Sequence, residues 1–317
     1  MAQNVGVVGL DVAKKKVDAC IRGLGLRRSA PSTPEGEAEL IAWLLRNGIG
    51  VAVMEASGGY EQRWAAALRG AGLEVRIVDP KRVRYFAKSA GRLAKNDPID
   101  ADTIAWFGEI FPDARSRPHD PEREVLDRMV TARAALLKQL TAMTNQSEHG
   151  QPPVVATAHA AIVKTMRAQV AKLDAAIAAA IVADPGSARR AEIITSVPGL
   201  GPQSAAGIIA WLPELGRVDD KAAAALVGVA PYDDDTGEHK GQRRIKGGRK
   251  KLRTQLYMAS VAAATQHNPV LMAYYRRLRA KGKEGKVALV ACLRKLIVIL
   301  NTMLARDQTW NPSRAAA

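Results

Sequence analysis

Cysteine, aromatic residues, acidic charge and long apolar runs are all scarce in this chain of 317 residues. Its two cysteines, Cys20 and Cys292, stand far apart with no Cys-x-x-Cys or paired-histidine spacing near either. That excludes a disulfide framework or a cysteine-ligated zinc site, and both read as small core residues. Aromatics make up 4% of the chain, so its cores must be built from Ala, Val, Leu and Ile; the 47% hydrophobic share suffices for that and excludes disorder as the main state. The longest uninterrupted apolar run, 175–183, falls short of the roughly 18–20 residues that cross a bilayer, and no basic stretch followed by a long apolar one opens the chain. The expectation is a soluble cytoplasmic protein with no membrane segment. Acids are outnumbered, 31 Asp and Glu against 47 Lys and Arg, for a formal charge of +16. Such an excess calls for a polyanionic partner, nucleic acid first, with a merely solubilising surface as the plain alternative.

Three stretches follow one another. Up to residue 111, short β-rich runs alternate with helical ones, the signature of an α/β layer domain. Strands are expected at 5–11 (VGVVGLD), 16–22 (KVDACIR) and 26–30 as an antiparallel meander, then at 50–55 and 73–78. Helices are expected at 34–46, with Thr33 as N-cap, at 60–71, and after Pro80 and Pro98. The proline- and charge-rich segment 112–118 marks a boundary. Two long helical patterns, 122–144 and 156–182, are separated by 146–153 (QSEHGQPP) and predict a coiled-coil arm. After Pro185-Gly186 a mostly helical region runs to about residue 305, with helices at 252–265 and 287–304. The expected domains are 1–114, 115–185 and 186–317.

Asp11 closes an apolar strand, and Glu55 closes another. A carboxylate at the end of a buried strand costs several kcal/mol unless it is paired or metal-bound. Asp97 and Asp100 open a helix at a spacing that puts both on one face of its first turn. Four oxygen ligands of this kind suit Mg²⁺, with Mn²⁺ as a substitute. The plain reading is that Asp97 caps the helix and Asp100 answers its dipole. Asp102 faces away from them and is expected to be solvated.

Farther along, Gly199 and Gly201 in the segment 196–202 (SVPGLGP) read either as the hairpin of a helix-hairpin-helix element, letting backbone approach a phosphate, or as an ordinary helix–helix turn. From 240 to 253 the chain carries Lys240, Arg243, Arg244, Lys246, Arg249, Lys250, Lys251 and Arg253 and no acid. A second basic group holds Arg276, Arg277, Arg279, Lys281, Lys283 and Lys286. Two such runs on a basic chain favour phosphate contacts, although a charge run is often only a solvated face.

The words Gly9-Leu10-Asp11-Val12-Ala13-Lys14, Met54-Glu55-Ala56-Ser57-Gly58-Gly59-Tyr60 and Lys95-Asn96-Asp97-Pro98-Ile99-Asp100-Ala101 resemble the DEDD insertion-sequence transposases, the one-ten family of bacterial insertion sequences. The frame of Gly228, Pro231, Thr236-Gly237, Gly241, Ile245, Gly248 and Leu252-Arg253 resembles that family's C-terminal transposase domain. The resemblance implies an RNase H-like (RuvC-like) DEDD domain, a helical coiled-coil arm and a mostly α C-terminal domain. It implies a recombinase that excises and inserts its mobile element, acting on donor and target DNA with a structured noncoding bridge RNA. Asp11, Glu55, Asp97 and Asp100 would hold Mg²⁺, and a homodimer would assemble to a homotetramer, nucleoid-associated and with no membrane partner. The hydroxyl nucleophile, normally Ser in this family, falls on Thr236, whose extra methyl crowds an in-line attack; Tyr232 stands in reserve. Two rivals remain at this point: a junction-resolving nuclease that uses water, and a nucleic-acid-binding protein that has lost its chemistry.

Overall fold

The computed structural model describes residues 6–92, 97–112, 120–233, 241 and 243–315, with backbone alone for 97–99 and 314–315. Thr236 and Lys240 lie outside the described residues, as does the side chain of Asp97. Two compact units divide the chain, Met1–His119 and Asp120–Ala317.

In the first unit, β1 (Gly6–Val12), β2 (Lys16–Ile21) and β3 (Leu26–Pro31) form the expected antiparallel meander. There follow α1 (Pro34–Arg46), β4 (Ile49–Glu55), α2 (Glu61–Gly70), β5 (Glu74–Val78), α3 (Pro80–Ser89) and α4 (Asp97–Ile110). The sheet order is β3-β2-β1-β4-β5, with β4 parallel to β1 and β5 parallel to β4. Strands β1 and β4 are apolar on both faces because both faces are covered. On one side Val8, Leu10, Ala52 and Met54 pack with Leu40, Leu44, Trp64 and Leu68 of α1 and α2. On the other, Val51 and Val53 pack with Val83 of α3 and Ile104 and Phe107 of α4. Helix starts follow local chemistry: the Thr33 hydroxyl accepts from Gly36 N at 3.2 Å, and Asp79 accepts from Lys81 N at 2.8 Å, each just ahead of a proline.

Gly9 sets how closely α4 lies on the sheet. A Cβ there would sit 2.2 Å from the Ala101 carbonyl oxygen and 2.3 Å from Ala105 N, so the helix backbone rests directly on the strand. Farther along α4, a Cβ at Gly108 would meet the side chains of Val53 at 2.5 Å and Val7 at 3.2 Å.

The second unit contains α5 (Pro121–Ser147), α6 (Pro153–Ala183), α7 (Pro185–Thr195), α8 (Pro202–Trp211) and α9 (Asp220–Val227). A two-stranded hairpin, β6 (Pro231–Tyr232) and β7 (Arg244–Ile245), precedes α10 (Lys250–Ala262), α11 (Pro269–Ala280) and α12 (Gly285–Ala305). Helix α9 and the hairpin go beyond the sequence expectation: α9 is only eight residues long, and each hairpin strand is two residues long. Helices α5 and α6 fold back on one another, and Arg133 of α5 pairs with Asp174 of α6, which also accepts from Gln203 at 2.7 Å. Trp211 of α8 donates its indole N–H to Asp127 of α5 at 2.9 Å.

By length and composition α12 could cross a membrane, although Arg294 and Lys295 interrupt its apolar run. Its inner stripe, Leu293, Leu296, Ile297 and Leu300, lies in the core of this unit. Asn301 anchors that stripe, accepting from Gly216 N at 2.7 Å and donating to the Val218 carbonyl at 2.9 Å.

Gly9→Ala should cost about 1–3 kcal/mol in urea unfolding, as overpacking does. Gly23→Ala, where a Cβ meets nothing within 4 Å, should change stability by no more than about 0.5 kcal/mol. Equal effects at the two positions would refute the close approach.

Candidate active site and nucleic-acid interface

The register of β1 and β4 pairs Gly9 with Val53 and Leu10 with Met54. One step further, Asp11 stands beside Glu55 on strands about 4.8 Å apart. Both are half-buried and lie on the α4 side of the sheet, since they continue the alternation of Gly9 and Val53. Because Ala101 and Ala105 rest on Gly9 while Gly108 rests on Val7, α4 begins at the end of β1 that carries Asp11. The backbone of Asp97 and Asp100 is thereby brought to the same end of the sheet. Asp11, Glu55 and Asp100 are each engaged by neighbouring groups. Among the described residues no three His, Cys, Asp or Glu side chains are gathered closely enough to hold a metal ion. The described carboxylates of Asp11, Glu55 and Asp100 are hard oxygen donors, the kind of group that suits a divalent cation such as Mg²⁺.

Asp102 departs from expectation. Its side chain is 14% exposed, ion-paired to Arg92 at 2.5 Å and to Arg22 at 3.8 Å, and it accepts from the Cys20 thiol at 3.7 Å. Both guanidiniums also lie against the Trp106 ring, 4.5 Å from its centroid for Arg22 and 4.9 Å for Arg92. The side of α4 opposite Asp100 is covered by β2 and the turn after it, so it does not face water. Burial, and then the charge of Asp102, push the Cys20 thiol pKa up.

Glu61 was not a candidate in the sequence, yet it shapes the loop after Glu55. It is 5% exposed and accepts from Ser57 N and the Ser57 hydroxyl at 2.9 Å and from Gly59 N at 2.8 Å. Burial pushes its carboxyl up, but these hydrogen bonds and that of its own N–H outweigh burial and hold it below the ordinary range. The signal was a Ser four residues before a Glu at a helix start, one residue wider than a capping box.

In the second unit the base of the β6–β7 hairpin is clamped. Gly228 has φ +80, and a Cβ there would meet Gly247 O at 2.3 Å; one on Gly248 would meet Gly228 N at 2.2 Å. Across this crossing Arg253 donates to the carbonyls of Gly247 at 2.7 Å, Gly228 at 3.1 Å and Val227 at 3.4 Å. Arg249 donates to the Trp211 carbonyl at 2.8 Å and binds both oxygens of Glu214 at 2.6 and 2.5 Å. Two of the eight basic residues are thus engaged within the protein. Arg243 pairs with Asp233 at the surface, while Arg244, Lys246, Lys250 and Lys251 are exposed. The two glycines of 196–202 differ as well. Gly199, at φ +94, lies against Ala263, whose Cβ would be 2.7 Å from an added Cβ, so packing explains it. Gly201 meets nothing within 4 Å and precedes α8 with no side-chain cap on the helix's first N–H groups.

Residues 8–149 match a transposase family profile for the DEDD domain of IS110-type elements, and residues 191–276 match the transposase IS116/IS110/IS902 family. Over 96% of its length the chain is 24% identical to the pilin gene-inverting protein of Moraxella bovis, spanning 97% of that protein. It is 30% identical to the insertion element IS110 uncharacterized 43.6 kDa protein of Streptomyces coelicolor, over 53% of this chain and 40% of that one. To the insertion element IS900 uncharacterized 42 kDa protein of Mycobacterium paratuberculosis it is 31% identical, over 41% and 33%. These matches make the chain a DNA transposase or recombinase, whose first unit carries an RNase H-like sheet. The chain belongs to the IS110 family, the one-ten family of insertion-sequence transposases.

Lys250→Ala and Lys251→Ala should each lower the salt slope of DNA binding by about 1 without changing the melting temperature. Arg249→Ala should do the reverse, costing about 1–3 kcal/mol of stability through the stranded Glu214. A second expectation concerns pH. Because the folded Glu61 carboxyl is depressed, its contribution is complete above the ordinary glutamate pKa of about 4.3 and is lost as pH falls through the lower folded value. The stability gap between wild type and Glu61→Gln in urea should therefore close on acidification; a gap that widens would refute the assignment.

Proposed function

We propose that the chain excises and inserts an insertion sequence, guided by a structured bridge RNA, through a covalent link between Thr236 and DNA. The Thr236 oxygen attacks a backbone phosphorus, the phosphorus–oxygen bond to the neighbouring deoxyribose breaks, and the departing hydroxyl takes up a proton. Strand exchange through a junction and attack of a deoxyribose hydroxyl on the protein–DNA link then restore the backbone and free Thr236. Asp11, Glu55, Asp97 and Asp100 would hold Mg²⁺, which when bound supplies Lewis-acid stabilisation of the charge that develops on phosphate oxygens. The chain's own contribution is positioning: Arg253 and the glycine crossing hold the base of the segment that carries Thr236, and Arg244, Lys246, Lys250 and Lys251 offer cations to the phosphates. Base pairing with the RNA would choose the sites, so the protein needs no base-reading side chains.

The observation that carries this reading is the placement of four acidic positions at one end of the sheet, within a chain whose second unit presents a clamped basic hairpin. The likeness to a protein named for inverting a gene favours strand exchange over hydrolysis by water. Helices α5 and α6, a coiled-coil arm in this reading, would join subunits into a homodimer and then a homotetramer, and the enzyme would work in the cytoplasm at the nucleoid.

The test is denaturing electrophoresis of protein incubated with Mg²⁺, labelled junction DNA and RNA transcribed from the flank of the gene. Wild type should give a denaturation-resistant adduct that Thr236→Ala lacks, and Asp11→Asn should lower its rate by about 10²-fold or more. Free nicked DNA from wild type and Thr236→Ala alike would make the enzyme a hydrolytic nuclease.

A further inference from the structure

Helices α11 and α12 and the tail 306–311 enclose an open cavity of about 560 Å³, within the roughly 300–1,000 Å³ of small-ligand pockets. Its floor is the outer side of α12, with Val298 and Ile299, and its walls include Tyr274 from α11 and Trp310 from the tail. Arg294, Lys295 and Arg306 line it as well, and no Asp or Glu does. The Lys295 ammonium lies 5.3 Å from the Tyr274 ring centroid, and Arg277, one of the second basic group, lies 5.1 Å from it. Tyr274, Lys295 and Arg277 also line an adjoining cavity of about 180 Å³. Among the described residues neither Arg294 nor Arg306 has a carboxylate partner.

Cations of one sign around an apolar, aromatic-walled hollow select a ligand with one flat apolar face and an anionic edge. A base with its phosphates has that make-up, and stacking on aromatic rings tolerates any base sequence. Paired bases are stacked within the duplex and present only their edges, so entry requires an unpaired strand. We infer that this cavity holds an unpaired nucleotide of a DNA strand, its base in the hollow between Tyr274 and Trp310 and its phosphates on Arg294 and Arg306. The inference rests on the chain's action on DNA and is independent of covalent chemistry at Thr236. Recombination exposes unpaired strands, and a pocket of this kind would keep a freed end from drifting away.

The full-length protein should be titrated, over a range of salt, with a short labelled oligothymidylate, the matching duplex and the corresponding oligouridylate. Trp310→Leu should weaken oligothymidylate binding roughly 5- to 100-fold, the span expected for one lost stacking contact, and leave duplex affinity unchanged. Arg306→Gln and Arg294→Gln should each flatten the single-strand salt slope by about 0.7. Trp310→Phe should retain binding, and 5-iododeoxyuridine in the oligonucleotide should photocross-link to Tyr274 or Trp310. If Trp310→Leu melts early, the two arginine variants carry the test. Equal losses on single strand and duplex, no loss on either, tighter binding of the RNA strand, or a cross-link elsewhere would each overturn the inference. Wild type that binds duplex but no single strand overturns it alone; wild type that binds neither overturns the DNA-binding reading beneath it as well.

Discussion

The candidate active site depends on one steric constraint, the contact of the α4 backbone with β1 at Gly9. A side chain there would push the helix off the sheet, and the start of α4 would leave the strand ends that carry Asp11 and Glu55. With hydrogen in place of a methyl, the helix lies close enough for Ile104 and Phe107 to pack against Val51 and Val53. The apolar contact that stabilises this face thus also fixes where Asp97 and Asp100 begin. The ion-paired cluster of Asp102, Arg22 and Arg92 around Trp106 secures the other side of the same helix. Glu61 does comparable work for the loop that leaves Glu55, exchanging the cost of a buried carboxylate for three hydrogen bonds to that loop.

A different device serves the second unit. There the segment between β6 and β7 is long and its strands are too short to hold it by ladder hydrogen bonds alone. Glycine-to-glycine packing at Gly228 and Gly248 and the carbonyl contacts of Arg253 fasten its two ends together, while Arg249 ties the start of α10 to the α8–α9 connection through Glu214 and Trp211. Arginine suits both places because its planar fork can satisfy several acceptors at once without losing its charge. The basic character of this stretch therefore has two physical origins, one internal and one directed outward.

Much of the first unit was legible from residue pattern. Strand runs such as 5–11 and 50–55, the Thr33 cap ahead of Pro34 and the stripe of α1 are local signals, and the elements formed within a residue or two of them. The acidic positions were legible for the same reason, since a lone carboxylate ending an apolar strand is conspicuous in the sequence itself. Asp102 was not, because its burial comes from β2, some eighty residues away along the chain. The basic run was legible only as charge: Arg249 and Lys250 are neighbours in sequence, yet one is paired with Glu214 and the other is exposed. Gly199 shows the same ambiguity, its requirement coming from Ala263 rather than from a phosphate.

By itself the sequence determined the order of strands and helices, the acidic residues at the ends of two strands and one helix, and an excess of positive charge that demands an anionic partner. Those properties are local or summed over the chain, so they need no knowledge of what lies beside what. Tertiary structure alone decided that α4 begins at the Asp11 end of the sheet, that Arg253 braces a hairpin and Arg249 is held by Glu214 while Lys250 and Lys251 are exposed, and that Tyr274 and Trp310 wall one hollow. Each of these results from contacts between residues distant along the chain, which only close packing brings together.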